Sequence, residues 1–296
     1  MTPRNILIAA LVVIELAIVE LGVESFRTGQ PVLLQRRAEA GTPYSGRLVE
    51  DGPHRLFRVG ARPELTVDVG YADLTVLTGK PEQIDVGLSG STDFGTLRET
   101  ALITATGEGD SVRIASIREH RWSAGDDRMV TVVVPPQTRV TVVHAGDIKA
   151  SGLRADATFK SVGRGSIAIE DFVGTALDVA SSNGAISLRR IVAGRLDATS
   201  KRDRIEGSAL QVRDGSIQAD DDVRLGLAAG SDSLVSAATD GGKVNLLGVS
   251  TVASEGASRQ KRHHEEDAAS ETLRVGMGSG RLDVHSNDGD IELQSE

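Results

Sequence analysis

Cysteine is absent from the 296-residue sequence, which excludes disulfides, thiol nucleophiles and zinc sites built on thiolates. The absence fixes no compartment, because repetitive β stacking serves in place of disulfides on either side of a membrane. Aromatic residues make up only 3% of the chain, and between Thr141 and Glu296 the only ones are Phe159 and Phe172. That scarcity removes the stacking faces on which sugar and single-strand readers depend. Basic surplus is lacking too: the net charge is −9, and no basic stripe runs along the repeats, which disfavours a nucleic-acid partner.

What the sequence does have is a period. Ile148, Ile167, Ile186 and Ile205 fall 19 residues apart, as do Leu153, Phe172, Ile191 and Leu210. Each isoleucine belongs to a short copy: Gly-Asp-Ile-Lys-Ala (146–150), Gly-Ser-Ile-Ala-Ile (165–169), Gly-Ala-Ile-Ser-Leu (184–188), then Asp203-Arg204-Ile205-Glu206-Gly207 without the leading glycine. The motif returns out of phase at Gly215–Ala219, Gly242–Leu246, Gly280–Val284 and Gly289–Leu293. Alternation of apolar and polar residues behind a turn residue describes a short strand with one buried face. Asn183-Gly184, Asp214-Gly215 and Asp288-Gly289 are expected to supply the positive φ of a tight corner.

Such a strand is not stable alone. Ordering its backbone costs roughly 1–2 kcal/mol per residue, against about 1.5–3 kcal/mol for each buried side chain. Stacking on like neighbours is therefore required. The period predicts an all-β chain whose main body is a parallel β-solenoid, or β-helix, with coils of about 19 residues and equivalent strands ~4.8 Å apart. The leucine-rich repeat has a similar length, but its Leu-x-x-Leu-x-Leu frame and asparagine position are not met.

Ahead of the repeats, Ile6 to Val23 form an apolar run, preceded by Arg4 and followed by Glu24-Ser25-Phe26-Arg27 with no Ala-x-Ala-like cleavage site. As a helix it spans about 27 Å, just enough for a bilayer. Residues 1–27 are read as an uncleaved signal anchor with a single transmembrane helix over about 6–23, a cleaved signal peptide being the alternative. Glu15 and Glu20 interrupt the run, as tolerated or headgroup-level carboxylates or as contacts to a partner helix. Residues 28–54, rich in Gly and Pro among mixed charges, read as a linker.

Residues 55–137 read as a β-rich region capping the repeats, with strands at Leu65–Val69, Leu74–Leu77, Ile84–Leu88, Val112–Ile114 and Met129–Val134. Pro135-Pro136 ends it, since neither residue donates to a ladder. Residues 138–296 hold the repeats. Within them, 220–240 keep apolar spacing at Val223, Leu225 and Leu227 without a clear frame, and 254–272 read as a polar loop inserted at a coil corner.

The Gly-Asp/Ser-Ile-x-apolar copies, the Val-Thr-Val-Val-Val-Pro-Pro segment (130–136) and the N-terminal anchor together resemble the DUF4097 "putative adhesin" family of bacterial β-strand-repeat proteins of the cell envelope. The resemblance covers roughly residues 55–296. It implies a repeating β fold, no established activity, and a repeat domain outside the cytoplasm. Charge counting alone points both ways, since Arg4 opposes Arg27, Arg36 and Arg37 across the run.

No catalytic, cofactor-binding or metal-ligating residue is assigned. His263-His264-Glu265-Glu266-Asp267 is the densest set of metal-ligand types, but it reads as a solvated charge run, with zinc or nickel binding only opportunistic. Asp220-Asp221-Asp222 resembles the carboxylates that β-helix polysaccharide-cleaving enzymes carry on an outer face. Side chains alternate along a strand, however, and Arg224 is the only near partner, so a solvated corner is the reading. Gly226–Gly230 and Gly276–Gly280 precede no amphipathic helix and are not phosphate loops.

The expected outward positions of the eight copies are Lys149, Ala168, Ser187, Glu206, Gln218, Asn245, Asp283 and Glu292, a ruler-like face with no concave pocket. The function expected is a non-enzymatic, membrane-anchored envelope surface for protein, glycan or self-association. The alternatives are an enzyme acting on acidic polysaccharide and a cytoplasmic, membrane-tethered scaffold that polymerises end to end.

Overall fold

A computed structural model describes residues 46–48, 54–70, 72–90, 103–116, 128–247 and 269–295. Every described residue lies in the compact unit Pro43–Glu296. The predicted span over 6–23 with Glu15 and Glu20, most of the linker over 28–54, and His263 to Asp267 within the polar loop lie outside the described residues. Among those described, no helix is long and apolar enough to cross a membrane.

The described residues are organised entirely as strands and the corners between them: β1 (Gly46–Leu48), β2 (His54–Arg58), β3 (Glu64–Val69), β4 (Asp73–Thr78), β5 (Gln83–Gly90), β6 (Ile103–Glu108), β7 (Ser111–Ser116), β8 (Arg128–Val134), β9 (Arg139–His144), β10 (Ile148–Ser151), β11 (Ala157–Ser161), β12 (Ile167–Ser181), β13 (Ile186–Ser200), β14 (Ile205–Ala219), β15 (Val223–Leu227), β16 (Ser233–Thr239), β17 (Val244–Leu247), β18 (Ala269–Val275), β19 (Gly280–Ser286) and β20 (Ile291–Ser295). The five β segments expected between Leu65 and Val134 all fall within such strands.

Two parallel ladders organise them. In the first, Val130, Leu74, Ile148, Ile167, Ile186, Ile205, Val223, Ile291 and Val244 pair one on the next. All but Val244 are buried, so the residues that define the 19-residue period share one buried column. In the second, Leu65, Val140, Ala157, Leu177 and Leu196 form an equivalent column. Burial alternates along the strands, as in β3 and β9, and the inward residues of both ladders form one core. Phe172, Ile191, Leu210 and Leu227 stack between the ladders, each buried.

The corners explain the glycines, and here the expectation needs correcting. Gly184 and Gly289 do not have positive φ; among the corner dipeptides only Gly215 does, at 154°. The reason is crowding between coils. A Cβ at Gly165 would strike the carbonyl of Gly146, one at Gly184 the carbonyl of Gly165, and one at Gly242 the carbonyl of Gly289. Backbone lies on backbone there, and only hydrogen fits between.

The left-handed conformation sits at the other bend. Gly152 (φ 82°), Asp171 (56°), Arg190 (52°) and Ala209 (51°) occupy the same step of successive coils, turning the chain from the first ladder toward Leu153, Phe172, Ile191 and Leu210. Three of the four carry a Cβ, which costs about 1–2 kcal/mol each in this region.

Buried hydroxyls close the corner from the second ladder back to the first. Ser181 Oγ accepts the Gly184 N–H at 2.8 Å, Ser286 Oγ that of Gly289 at 3.0 Å, and Thr239 Oγ1 that of Gly242 at 3.0 Å. Ser161, buried in the same row, has an Oγ without a hydrogen-bond partner. Its corner holds one residue more than the Ser181 corner, which carries the following glycine out of reach. In that row β9 places His144, whose ring nitrogens face the carbonyls of Val69, at 2.6 Å, and Ala72.

Two of the eight motif copies do not join the isoleucine column. Gly215–Ala219 and Gly280–Val284 lie on the second ladder, where Ile217 pairs with Ala198 and Val284. The strand-initiating pattern is the same; the partner differs because the chain has reached the other wall. Residues 220–240 do have a frame. Val223 pairs with Ile205 and Leu225 with Gly207, so β15 is the next strand of the first ladder.

Both ends of the ladders are built out of chain order. The β7 and β8 coil lies outside the β3 and β4 coil, and the chain then returns to place β9 and β10 on the inner side. At the far end β16 and β17 are outermost, and β19 and β20 are inserted between them and β14 and β15. Antiparallel strands cover the outermost parallel ones: β5 lies on β8, β6 on β7 and β18 on β16.

Candidate functional site

The outward row of the first ladder is the natural place to look for recognition. Lys149, Ala168, Ser187, Glu206, Arg224, Glu292 and Asn245 pair in that order. Six of the eight positions expected to face outward are in this row. Gln218 and Asp283 lie on the second ladder instead, and Arg224 is the member that the motif spacing missed. Opposite charges thus alternate on successive strands, Glu206 to Arg224 to Glu292, the favourable cross-strand order.

This face is not flat, contrary to expectation. A cavity of about 390 Å³ is lined by Ser187, Leu188, Arg189, Glu206, Gly207, Ser208, Arg224, Leu225, Gly226, Glu292 and Gln294. Its origin is local. β14 passes through the left-handed Ala209 to reach Leu210, whereas β15 reaches the paired Leu227 one residue sooner. Beside this irregularity stand Ser208, with a small side chain, and Gly226, with none; at Gly207 a Cβ would meet the core side chains of Leu210 and Leu225. Gly226 was a signal in the sequence, but only with the register known.

Ion pairs hold the rim. Arg224 reaches Asp222 at 3.1 Å and Glu292 at 3.9 Å, Arg189 reaches Glu170 at 3.0 Å, and Arg204 reaches Glu206 at 2.8 Å. Their side chains stay half-exposed, 56% for Arg224 and 54% for Arg189, so solvent screens the pairs and they orient more than they stabilise.

The Asp220–Asp222 triplet forms a corner, as expected. Asp220 Oδ1 accepts from Asn287 Nδ2, the Asp221 carbonyl accepts from Ser286 Oγ at 2.9 Å, and Asp222 Oδ1 accepts the Asp290 N–H at 3.0 Å. Bridging one coil to the next is the common task of carboxylates here. Asp147 accepts the Ser166 N–H at 2.7 Å and Asp156 that of Ala176 at 2.9 Å.

Three exposed carboxylates are held below the usual range. Asp171 is lowered by its hydrogen bond to Arg190, Asp214 by Arg213 and then the Arg281 N–H, and Asp232 by the Ser279 hydroxyl and then its N–H. Among the described residues no three His, Asp or Glu side chains are grouped to hold a metal ion.

No protein-family model matches the chain, and no curated protein does. Among solved structures it is similar to a "putative cell adhesion protein" from Clostridium sporogenes, at 10% identity over 82% of this chain and 99% of that one, with a TM-score of 0.39. It is also similar to a "putative adhesin" from Bacteroides fragilis, at 13% identity over 82% and 96%, with a TM-score of 0.43. At these identities neither assigns a function.

Proposed function

We propose that this chain is a membrane-anchored cell-envelope protein of the DUF4097 kind, whose paired ladders form a parallel β-solenoid. It acts without catalysis, presenting an adhesin-like or scaffolding surface to protein, glycan or self-association partners. The observation that carries the reading is the outward row from Lys149 to Asn245, in which side chains stand in register on successive strands. A row of that kind offers a rigid, repeating and polar surface. The apolar run over 6–23 supplies the anchor and the family resemblance the external placement. Protease added to intact cells is expected to cut within residues 254–272; a segment protected until lysis overturns the external placement.

A polysaccharide-acting enzyme is the second reading, and the cavity is what favours it. Glu206 and Glu292 lie on strands two apart with Arg224 between them, which sets their backbones about 9.6 Å apart. That is near the ~6.5–9.5 Å between carboxyl groups in inverting glycosidases. New reducing ends, formed from a polysaccharide by the native chain and not by the Glu206→Gln, Glu292→Gln double variant, would replace the first reading with this one.

A further inference from the structure

We propose that the cavity over β13, β14, β15 and β20 binds a short, neutral saccharide through its hydroxyl pairs. The proposal rests on the reading of the outer face as a recognition surface and names the ligand class of one place on it. The cavity's 390 Å³ lies at the lower end of the ~300–1,000 Å³ of ordinary ligand pockets, enough for a small ligand and too little for a protein domain.

Its chemistry is balanced. Arg189 and Arg224 supply planar donors, Glu206 and Glu292 paired acceptors, and Ser208 and Gln294 groups that do both. Formal charge at the rim cancels, and Glu170 and Asp222 stand behind the two arginines. A polyanion finds no net attraction there, and a chain of net charge −9 repels it at longer range.

The ligand that matches alternating donors and acceptors without net charge is one whose groups each donate and accept. Adjacent hydroxyls of a sugar do so, and two of them span a carboxylate or a guanidinium edge. The ion pairs already orient both arginines, Arg189 through Nη1 and Arg224 through Nη2 and Nε, so less freedom is lost on binding. Leu188 and Leu225 lie under the cavity with their side chains buried in the core, at 0% and 1% exposure, so they offer a sugar ring almost no apolar surface. No aromatic residue lines the cavity, so contact comes from hydrogen bonds and not from ring stacking, and affinity per site is modest.

The test is isothermal titration of the full chain with cellotriose, maltotriose and tri-N-acetylchitotriose, and with trigalacturonate as the anionic comparison. Saturable binding of at least one neutral trimer is expected, weakened about tenfold by Arg224→Ala and by Ser208→Phe. The second variant fills the cavity while leaving every charge in place, so a fault in folding caused by losing the Asp222 partner is told apart from a lost contact. Raising the salt from about 0.05 to 0.5 M, which shortens the screening length severalfold, is expected to change the affinity less than twofold.

Tighter and salt-sensitive binding of trigalacturonate overturns the neutral class. Absence of binding by all three neutral trimers, or binding that both variants leave intact, overturns the site. The external placement fails separately, by the protease result, and saccharide binding by a chain protected in intact cells would leave the site standing while removing its place in the envelope.

Discussion

In the centre, β12 stacks on β13 and β13 on β14 over nearly their whole lengths, each residue on the one 19 positions later. At either end the same ladders are completed by strands brought from far along the chain, with Leu74 against Ile148 and Ile291 against Val223. The central pairings close short loops, whereas those at the ends close long ones and need antiparallel strands to cover what remains open. Regular coils are self-sufficient neighbours; terminal coils depend on the rest of the chain. The expected order of assembly is therefore centre first and ends later.

Removing a buried side chain from the centre breaks this comparison most severely. Ile186→Ala deletes a residue with 1% exposure from the isoleucine column and is expected to cost about 2–5 kcal/mol, read as a shift in the urea midpoint. The same truncation at Val244, which is only partly buried against the core, is expected to cost about 1 kcal/mol. Equal losses at the two positions would mean that the end coil is packed as tightly as the middle.

Next comes the corner crowding. Gly165→Ala places a methyl against the Gly146 carbonyl and is expected to cost about 1–3 kcal/mol by overpacking. Gly109→Ala in the β6 and β7 hairpin meets nothing within 4 Å, so only the strain of φ 58° remains, about 1 kcal/mol. Ala209→Gly runs the other way. It relieves the left-handed Cβ, worth about 1–2 kcal/mol, against roughly 0.5–1 kcal/mol of added chain entropy, and a small rise in melting temperature is expected.

Acid sharpens the comparison of the two ends. His144 lies at the N-terminal end of the hydroxyl row, where Ser286 and Thr239 stand at the other end. Burial pushes its imidazole below the ordinary value, outweighing the pull of the Ala72 and Val69 carbonyls and of Asp73 and Asp147. The folded state therefore holds the proton less well than the unfolded chain. Its contribution is fully present above the unfolded pKa of about 6.5 and is lost as pH falls from there toward the lower folded value. His144→Ser, which copies the residue used in four other corners, is expected to flatten that part of the stability profile. An unchanged slope between pH 7 and 5 would place its origin elsewhere.

Much of the register was legible, because Ile148, Ile167, Ile186 and Ile205 face inward once per coil and the sequence repeats with them. The strands near the start were legible for the same reason, alternation at Leu65–Val69 and Met129–Val134. Routing was not. Gly215-Ser216-Ile217 and Gly184-Ala185-Ile186 carry the same local signal, yet one begins on the second wall and the other on the first, and only tertiary pairing separates them. Gly184 and Gly289 were recognised but for the wrong cause, since φ is a local property and contact with the neighbouring strand is not, whereas Gly215 does have the positive φ expected of it. The hydroxyl row had a usable signature, Ser or Thr three residues before a glycine and five before the apolar column, as in Ser181 to Ile186 and Ser286 to Ile291. The cavity had none that could be used without the register, because it arises where the paired spans Gly207–Leu210 and Leu225–Leu227 differ by one residue.

The corner geometry also bears on how such a chain changes over generations. Since each coil presents to the next the same backbone groups that it receives from the one before, copying the codons of one whole coil in frame would extend the wall without creating a new junction. Single-residue differences are absorbed at the corners: the Ser161 corner holds one residue more than the Ser181 corner, yet Ile167 and Ile186 stay buried in one column.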